Sequence, residues 1–320
     1  MALAALGAEA PALVTPDPVA LPVSAPIAGL VAGGARAASW WPCTQCYPGG
    51  VSATVAAVSS TPAPWRLDVD EYFARLGYSG SRDPSLSTLV GLHAAHRRNV
   101  PYENLDVALR RPLSHAPEAL FDKVVRRRRG GWCHELNRLF ALLLETLEFR
   151  LTYHSARVHR VTGEVSPEFS HLVLVVHLEE RWLADAGFGA RGPVDPLRLD
   201  TTDTQITAGD RYKVIPDPDG SNRRMVYGAW LDAWSPLFSL DLQPRLLPEF
   251  DPRRQEQQAD PWWTERRMTS ISTQEGRVSL DGMRLVVTRP GTREERLLAD
   301  DADWRAALTE HFGIDLERKS

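Results

Sequence analysis

The sequence predicts an α+β fold, and three observations along the chain support this. Between residues 65 and 148, apolar residues recur every three to four positions, as on the buried face of a helix. Residues 149–255 change to short aliphatic runs that favour β-strands, and residues 256–320 hold a connecting segment and a small α/β unit. Because the strands follow the helices and do not alternate with them, the helical and sheet parts should be separate layers.

Residues 1–64 differ from the rest in composition. Their only charged residues are Glu9, Asp17 and Arg36, scattered prolines interrupt the segment, and no amphipathic period runs through it. We expect a disordered extension, or a start codon assigned too far upstream, with no part in the chemistry. Cys43 and Cys46 form a lone CxxC that has little weight as a metal or redox site, because no second pair accompanies it.

Helices are predicted at residues 68–76, from 83 onwards, at 117–128 and at 133–148. Asp68 and Asp83 are candidate N-caps, and Pro84 would occupy the first helical position of the second helix. Cys133 opens the fourth helix. The apolar residues on the buried face of that helix are Leu136, Leu139, Phe140, Leu143, Leu144 and Leu147.

Strands are predicted at residues 150–160, 171–178, 181–185, 210–214, 224–230, 237–240, 277–280, 284–288 and 294–298. The run at 171–178 is densely aliphatic, which is typical of a strand buried on both faces. Residues 248–266 are polar with a tryptophan pair, and we interpret them as a connecting helix. Residues 301–312 form the predicted closing helix.

Composition narrows the class of protein. The formal net charge is −4, so no nucleic-acid footprint is expected, and no apolar run approaches the roughly 18 residues of a membrane span. No lysine or arginine precedes the first apolar stretch, as a secretory signal would require. Three cysteines make no disulfide framework, which indicates a cytoplasmic protein. The net charge and the lack of an apolar span predict that neither nucleic acid nor a membrane is a partner. A homo-oligomer is compatible with the sequence.

A basic run from Arg126 to Arg129 precedes a glycine pair. Its ordinary interpretation is a solvated helix end, and the alternative is attraction of a phosphorylated cofactor. A metal site is not expected, because His154, His159 and His177 lie on predicted strands at a spacing that makes no ligand cluster with Cys133.

The order Cys133, His171, Asp185 indicates an activated thiol. Each residue alone has an ordinary structural explanation. The three together, with a glycine pair before the cysteine and a glycine-rich turn after the aspartate, favour a catalytic role over these structural ones. A cysteine in the first turn of a helix is stabilised as thiolate by the helix dipole. A histidine against the sulfur makes a thiolate–imidazolium pair, and an aspartate on the other ring nitrogen fixes its tautomer.

Four segments resemble, in order and spacing, signature segments of the arylamine N-acetyltransferase family. They are PYENL at 101–105, RGGWCHELN at 129–137, SHLVL at 170–174 and DAGFG at 185–189. The resemblance extends from about residue 68 to the C-terminus. It implies a helical bundle with the cysteine (65–148), a β-barrel with the histidine and aspartate (149–255) and an α/β lid (256–320), with a cysteine-protease-like triad.

The resemblance also implies an activity. Cys133 would take an acetyl group from acetyl-CoA as a thioester and pass it, in a ping-pong reaction, to the nitrogen of an arylamine or arylhydrazine. No cofactor is expected to stay bound. The residues that the resemblance implies at the site are Glu103 and Arg129 as a supporting salt bridge, Tyr102 and Phe188 at the acceptor pocket, and Gly187 and Gly189 in the 187–193 loop on the CoA side.

Three positions depart from the family pattern. Tyr102 stands where phenylalanine is usual, and Arg138 where glycine is usual. His134 replaces a residue that is commonly aromatic, and adds an imidazole whose helical direction should differ from that of Cys133. The sequence therefore leaves the identity of the acceptor substrate open. The alternatives are an amide synthase of the same superfamily that acts on a carrier-bound acyl chain, a thiol hydrolase, and a catalytically silent binding protein.

Overall fold

The computed structural model describes residues 65–219, 221–230 and 233–317. The expectations for residues 1–64, including Cys43 and Cys46, lie outside the described residues. The predicted α+β class is confirmed: helices come first, an eight-stranded sheet then curls into a nearly closed barrel, and a five-stranded sheet with one helix follows. Nowhere in the described ranges is a helix both long and apolar enough to span a membrane.

The helices of the described residues are α1 Val69–Leu76, α2 Leu86–Asn99, α3 Leu105–Ala108, α4 Pro117–Phe121, α5 Cys133–Thr146, α6 Asp251–Ala259, α7 Pro261–Thr264 and α8 Asp301–Phe312. As predicted, the Asp68 carboxylate caps α1 by accepting from the amide of Glu71 at 2.9 Å. Gly77 ends α1 in the left-handed region, at a φ of 62°.

The predicted start of α2 is wrong. Ser85 is the N-cap, and its hydroxyl accepts from the amide of Thr88 at 3.3 Å. The Asp83 carboxylate instead accepts from the hydroxyl of Ser81 at 2.9 Å in the preceding turn, which leaves Pro84 outside the helix. Aspartate and serine both cap helices, so which of Asp83 and Ser85 does so depends on the turn that the chain makes before them.

Two other helix predictions are corrected by breaks. The helix predicted at 117–128 is α4 followed by a π-helical turn at Asp122–Arg126. The segment predicted as one helix at 248–266 is a 3-10 turn, Leu247–Phe250, followed by α6 and α7. The extended backbone of Asp260, at a ψ of 126°, separates the last two because a residue before proline avoids the helical region.

The strands of the barrel are β2 Leu151–Val158, β3 His171–His177, β4 Arg181–Ala184, β5 Leu197–Arg198, β6 Gln205–Thr207, β7 Asp210–Pro216, β8 Arg223–Trp230 and β9 Ala233–Arg245. They pair in the order β5-β4-β3-β2-β9-β8-β7-β6, and every pairing is antiparallel. The side-chain amide of Gln205 links the two end strands, β5 and β6. Its Oε1 accepts from the backbone N–H of Arg198 at 2.7 Å, and its Nε2 donates to the backbone carbonyl of Arg198 at 3.0 Å.

Strand β3 is shared by two cores. Leu174 and Val176 pack with the helices, whereas Val173 and Val175 belong to the interior of the barrel. His171 has the same parity as the second pair, which places it at the barrel end of that face. Strand β9 is far longer than predicted. Its two ends are half-buried or exposed, so the apolar pattern in the sequence marks only its buried centre.

The C-terminal sheet contains β1 Tyr102–Glu103, β10 Met268–Ser272, β11 Arg277–Asp281, β12 Arg284–Arg289 and β13 Thr292–Leu297, in that order. Strand β1 lies within the helical part of the sequence. Tyr102 pairs with Ser270 of β10 and bridges Gly131 on its other side, so this short strand ties the segment before α5 to the C-terminal sheet.

A buried charge network fixes the segment before α5. It consists of the buried residues Lys123, Arg129, Glu103 and Glu135 together with the partly buried Asp106, which makes two cations and three carboxylates. Arg129 Nη2 donates to Glu103 at 2.7 Å and to Asp106 at 3.1 Å, and Lys123 Nζ donates to both Asp106 and Glu135 at 2.8 Å. Burial would raise the pKa of Asp106, but the adjacent Lys123 and Arg129 hold it below its usual value. The negative charge of Asp106 in this network therefore depends on the presence of both cations.

We expect Lys123→Met to destabilise the protein strongly, because it leaves Asp106 and Glu135 short of a counter-charge. The free energy of unfolding should fall by about 3–5 kcal/mol, as when one partner of a buried ion pair is removed. The control is Arg296→Met, which breaks a pair between exposed partners and should cost about 0.5 kcal/mol. Denaturant titration of both variants measures the difference, and equal losses would contradict the account.

We expect Gly130→Ala to disturb the segment before α5 directly. A Cβ at this position would overlap the Pro101 carbonyl oxygen and lie 2.8 Å from Cγ of Glu103, at a cost of about 2–3 kcal/mol. Gly77→Ala is the control, since its Cβ meets nothing within 4 Å and costs only the left-handed strain of about 1 kcal/mol. Only Gly130→Ala should also lower the alkylation rate of Cys133; an equal effect of both variants would exclude local control by Gly130.

Candidate active site

Cys133 is the first residue of α5 and is almost fully buried, with 5% of its surface exposed. Glu135 fixes this helix start, because its carboxylate accepts from the amide of Trp132 at 3.1 Å. Gly187 lies against the cysteine: a Cβ there would be 2.8 Å from Cα of Cys133. Only glycine lets the turn after Asp185 approach the start of the helix so closely.

His171 and Asp185 meet at the adjoining ends of β3 and β4. His171 Nε2 and Asp185 Oδ2 are 2.7 Å apart, and both side chains are buried. The antiparallel register pairs Leu174 with Ala184. His171 and Asp185 are therefore diagonal neighbours on one face of the sheet. Sequence and strand pairing together therefore bring the two distant residues into contact.

The charges in this cluster support one another. Burial would raise the pKa of the Cys133 thiol, but His134 and His171 lower it to about 6. Burial would lower the pKa of His171, but Asp185 and Cys133 raise it to about 10. Between these two values the sulfur is a thiolate and His171 is an imidazolium.

Asn137 holds the three residues together, and sequence reasoning did not single it out. It lies one helical turn after Cys133, and its Nδ2 donates to Asp185 Oδ1 at 2.8 Å and to the Leu172 carbonyl at 2.6 Å. Its Oδ1 accepts from the amide of Ala186 at 2.8 Å. The available signal was a buried amide at i+4 from the cysteine, on an otherwise apolar helix face.

Helix α2 supplies two more residues that were missed. His93 Nε2 accepts from the amide of Asp185 at 2.9 Å, and its Nδ1 donates to the Val194 carbonyl at 2.7 Å. Burial lowers the pKa of His93 to about 4, so the ring is neutral, as this pattern requires. The buried Arg97 donates to carbonyls of the loop after Asp185, including that of Gly192 at 3.2 Å. A histidine and an arginine at i and i+4 on a buried face were the signal.

The two aromatic residues of the predicted acceptor pocket lie beside the cluster. The Phe188 ring is 5.3 Å from that of His171 and 5.0 Å from that of Phe238. The pKa of Tyr102 is raised, first by burial and then by the charge on Cys133. Gly189, at a φ of 83°, lies next to the Tyr102 ring, since a Cβ there would be 3.4 Å from Cδ1. The Phe188 ring therefore lies against His171, and Tyr102 lies close enough to Cys133 for the charge of the sulfur to raise its pKa.

The expected direction of His134 is wrong. Its Nδ1 lies 3.4 Å from Sγ of Cys133, and its Nε2 lies 3.2 Å from the Phe169 carbonyl oxygen. Side chains at a helix start lean toward the N-terminus, which brings this ring back over the preceding residue. Arg138 points away from the sulfur, with Nη1 donating to the Tyr153 hydroxyl.

The remaining sequence features have structural explanations. Within the basic run, Arg126 pairs with Glu71 at 3.2 Å and Arg127 with Asp122 at 2.8 Å, which favours the helix-end interpretation over a phosphate site. In the part of the chain that the structure describes, no group of three or more histidine, cysteine or acidic residues could hold a metal ion.

Comparison with known proteins agrees with this arrangement. The sequence model of the family described as N-acetyltransferase matches residues 85–320. The arylamine N-acetyltransferase of Mycobacterium tuberculosis is 34% identical over 260 residues, which cover 78% of this chain and 90% of that protein. That of Mycolicibacterium smegmatis is 33% identical, covering 78% and 93%.

Solved structures give the same result. The M. tuberculosis enzyme superposes with a TM-score of 0.73 at 32% identity, covering 78% of this chain and 94% of that one. The Mycobacterium marinum enzyme, solved in complex with CoA, has a TM-score of 0.73 at 30% identity, covering 77% and 93%. The present chain therefore belongs to the arylamine N-acetyltransferase family and is an acyltransferase.

Proposed function

We propose that this enzyme transfers an acetyl group from acetyl-CoA to the nitrogen of an arylamine or arylhydrazine through a thioester on Cys133. The observation that carries the proposal is the buried cysteine in contact with imidazole, next to a histidine held by a carboxylate at 2.7 Å. A helix start, an imidazolium and a buried aspartate are together the means by which proteins activate a thiol.

In the first half of the reaction, the Cys133 thiolate attacks the carbonyl carbon of acetyl-CoA. The carbon–sulfur bond to CoA breaks, and the departing CoA thiolate takes the proton of the His171 imidazolium. The products are the acetyl-cysteine thioester, free CoA and a neutral His171. The low pKa of Cys133, about 6, supports this step because it keeps the nucleophile charged at neutral pH.

In the second half, the amine nitrogen attacks the thioester carbon. Neutral His171 accepts the proton that the nitrogen loses, and the Cys133 thiolate leaves, which regenerates the starting pair. Asp185 supports this step because its charge stabilises the imidazolium as it forms.

Substrate contacts are assigned by position. We place the aromatic ring of the acceptor against Tyr102 and against Phe188, which packs on His171, and CoA on the side of the 187–193 loop with Gly187 and Gly189. Arg97 donates to the Gly192 carbonyl of that loop, and this contact favours a rigid binding surface. The M. marinum relative solved with CoA supports acetyl-CoA as the donor. Glu103 and Arg129 act as structural support of the site.

Replacement of Cys133 tests the mechanism. Cys133→Ala should release CoA from acetyl-CoA and an arylamine at least a thousand-fold more slowly, roughly the loss seen when a nucleophile is removed. Mass spectrometry should find an acetyl group on the wild-type enzyme and none on the variant. The control is His154→Gln, a buried histidine of β2 bonded to the Asp241 carbonyl, which should retain activity within about two-fold.

Turnover by Cys133→Ala at the wild-type rate would exclude the thioester. The acceptor is read in the same assay. CoA release that does not depend on an arylamine or hydrazine would instead indicate a hydrolase, and acylation only from a carrier-bound donor would indicate an amide synthase.

The pH dependence of alkylation tests the charge state of the sulfur. The rate at which iodoacetamide modifies Cys133 should rise with a midpoint near pH 6, because the thiol is protonated and inert below its lowered pKa. An ordinary cysteine would have its midpoint near about pH 8.5. Peptide mass spectrometry isolates the Cys133 signal, and a midpoint at the ordinary value would refute the thiolate–imidazolium pair.

A further inference from the structure

The Cys133 sulfur has two imidazoles beside it. His171 interacts with it from β3, and His134 approaches from the same helix, with Nδ1 3.4 Å from Sγ. His134 is buried, with 2% of its surface exposed, and its ring lies 5.5 Å from that of Trp132 and 5.9 Å from that of Phe250. The second imidazole is therefore held in place by rings on both sides.

The hydrogen-bond partner of the other nitrogen fixes the tautomer of His134. The Phe169 carbonyl oxygen can only accept, so Nε2 carries the hydrogen and donates to it across 3.2 Å. A neutral ring then presents the lone pair of Nδ1 to the sulfur, which is the arrangement that receives a proton from a thiol.

We propose that His134 is a second catalytic residue, which shares with His171 the proton of the Cys133 thiol. The inference rests on the proposed function, since it concerns the same nucleophile. The proton that leaves sulfur passes to Nδ1 of His134 or to His171, and no other bond changes. When CoA departs as a thiolate, it takes this proton from whichever imidazolium holds it.

Apart from the Cys133 sulfur, the ionisable groups around His134 are neutral or have partners of their own. A cavity of about 240 Å³ lies on its far side, lined also by His115, Arg138, Asp251 and Arg254. Arg254 is paired with Asp251 at 2.8 Å, and burial lowers the pKa of His115 to about 3, helped by Arg254 and His134, so that ring is neutral.

Arg138 is the remaining cation on that side. It interacts with Tyr153 and lies 3.7 Å from the Glu145 carboxylate, so its charge is directed away from the cysteine. On the opposite side, the imidazolium of His171 is matched by Asp185. The thiolate is thus the anion left in direct contact with His134.

The test compares the alkylation profile of Cys133 in the wild type, His134→Phe and His134→Asn. Phenylalanine keeps the ring packing, and asparagine keeps a hydrogen-bonding group near the sulfur, but neither can take up a proton. Both should move the midpoint upward by about one pH unit, which lowers the rate at pH 5 roughly ten-fold. The plateau at high pH should stay within about two-fold, because the thiolate itself is unchanged.

Arg138→Gln is the matched control, since Arg138 lines the same cavity without reaching the sulfur. Its midpoint should equal that of the wild type, and a shift as large as that of His134→Phe would reduce the effect to general positive charge and overturn the proposal. An unshifted midpoint in His134→Asn would also overturn it, because a hydrogen bond alone would then suffice.

A second measurement uses the His171→Gln background, in which His134 is the remaining imidazole at the sulfur. Cys133 should still alkylate with a midpoint below that of an ordinary cysteine, and adding His134→Phe should remove this residual activation. Equal profiles with and without His134 would refute the sharing. Failure of the proposed function is distinguishable, since it would appear in the CoA-release assay and would leave the alkylation profiles of the His134 variants unchanged.

Discussion

The ion pairs of Lys123 and Arg129 with two buried carboxylates and one partly buried carboxylate are the interaction on which the site depends. Two cations must satisfy three acids with little help from water, which is favourable only in one well-determined geometry. One of the acids, Glu135, caps the start of α5 and thereby aims Cys133. Another, Glu103, belongs to β1 and pairs with β10, so the same charges also set where Tyr102 lies. Cys133 and the C-terminal sheet are therefore positioned by a single network.

A second set of polar contacts crosses from the helices to the barrel. Asn137 of α5 and His93 of α2 both bind the Asp185 segment, from its side chain and from its backbone amide. Both side chains are buried, so moving either one away from its partner would leave a buried polar group without a hydrogen bond. The free-energy cost of that loss fixes the separation between helix and strand. Catalysis by proton transfer requires such fixed distances, because the transfer is effective only within hydrogen-bond reach. The asparagine and the neutral histidine thus hold the proposed triad in place, and the proposed reaction assigns them no proton transfer.

The sequence could predict those features whose signals are local. The α+β class followed from the hydrophobic periods, and Cys133, His171 and Asp185 followed from their glycine-rich and aliphatic surroundings. Contacts between distant segments could not be predicted in this way. Strand β1 has two residues, and three of the five side chains of β10 are hydroxyls, so neither strand shows an apolar period. Likewise Asp106 and Lys123 have the pattern of ordinary surface charges until the fold encloses them, and the direction of His134 depended on side-chain geometry at a helix start.

A buried histidine beside the nucleophile has a requirement that an apolar ring would not have. Both nitrogens of His134 need partners, and one of them, the Phe169 carbonyl, is aimed by a residue in the left-handed region at a φ of 60°. The Phe169 amide donates to the Ser155 hydroxyl at 2.8 Å, and its ring packs 5.2 Å from that of Phe250, which holds this strained conformation. The other partner is the sulfur itself, and it changes during the reaction. In the thioester that we propose, the sulfur has no proton to donate, so the lone pair on Nδ1 of His134 would need another donor, which the N–H of an incoming amine could supply.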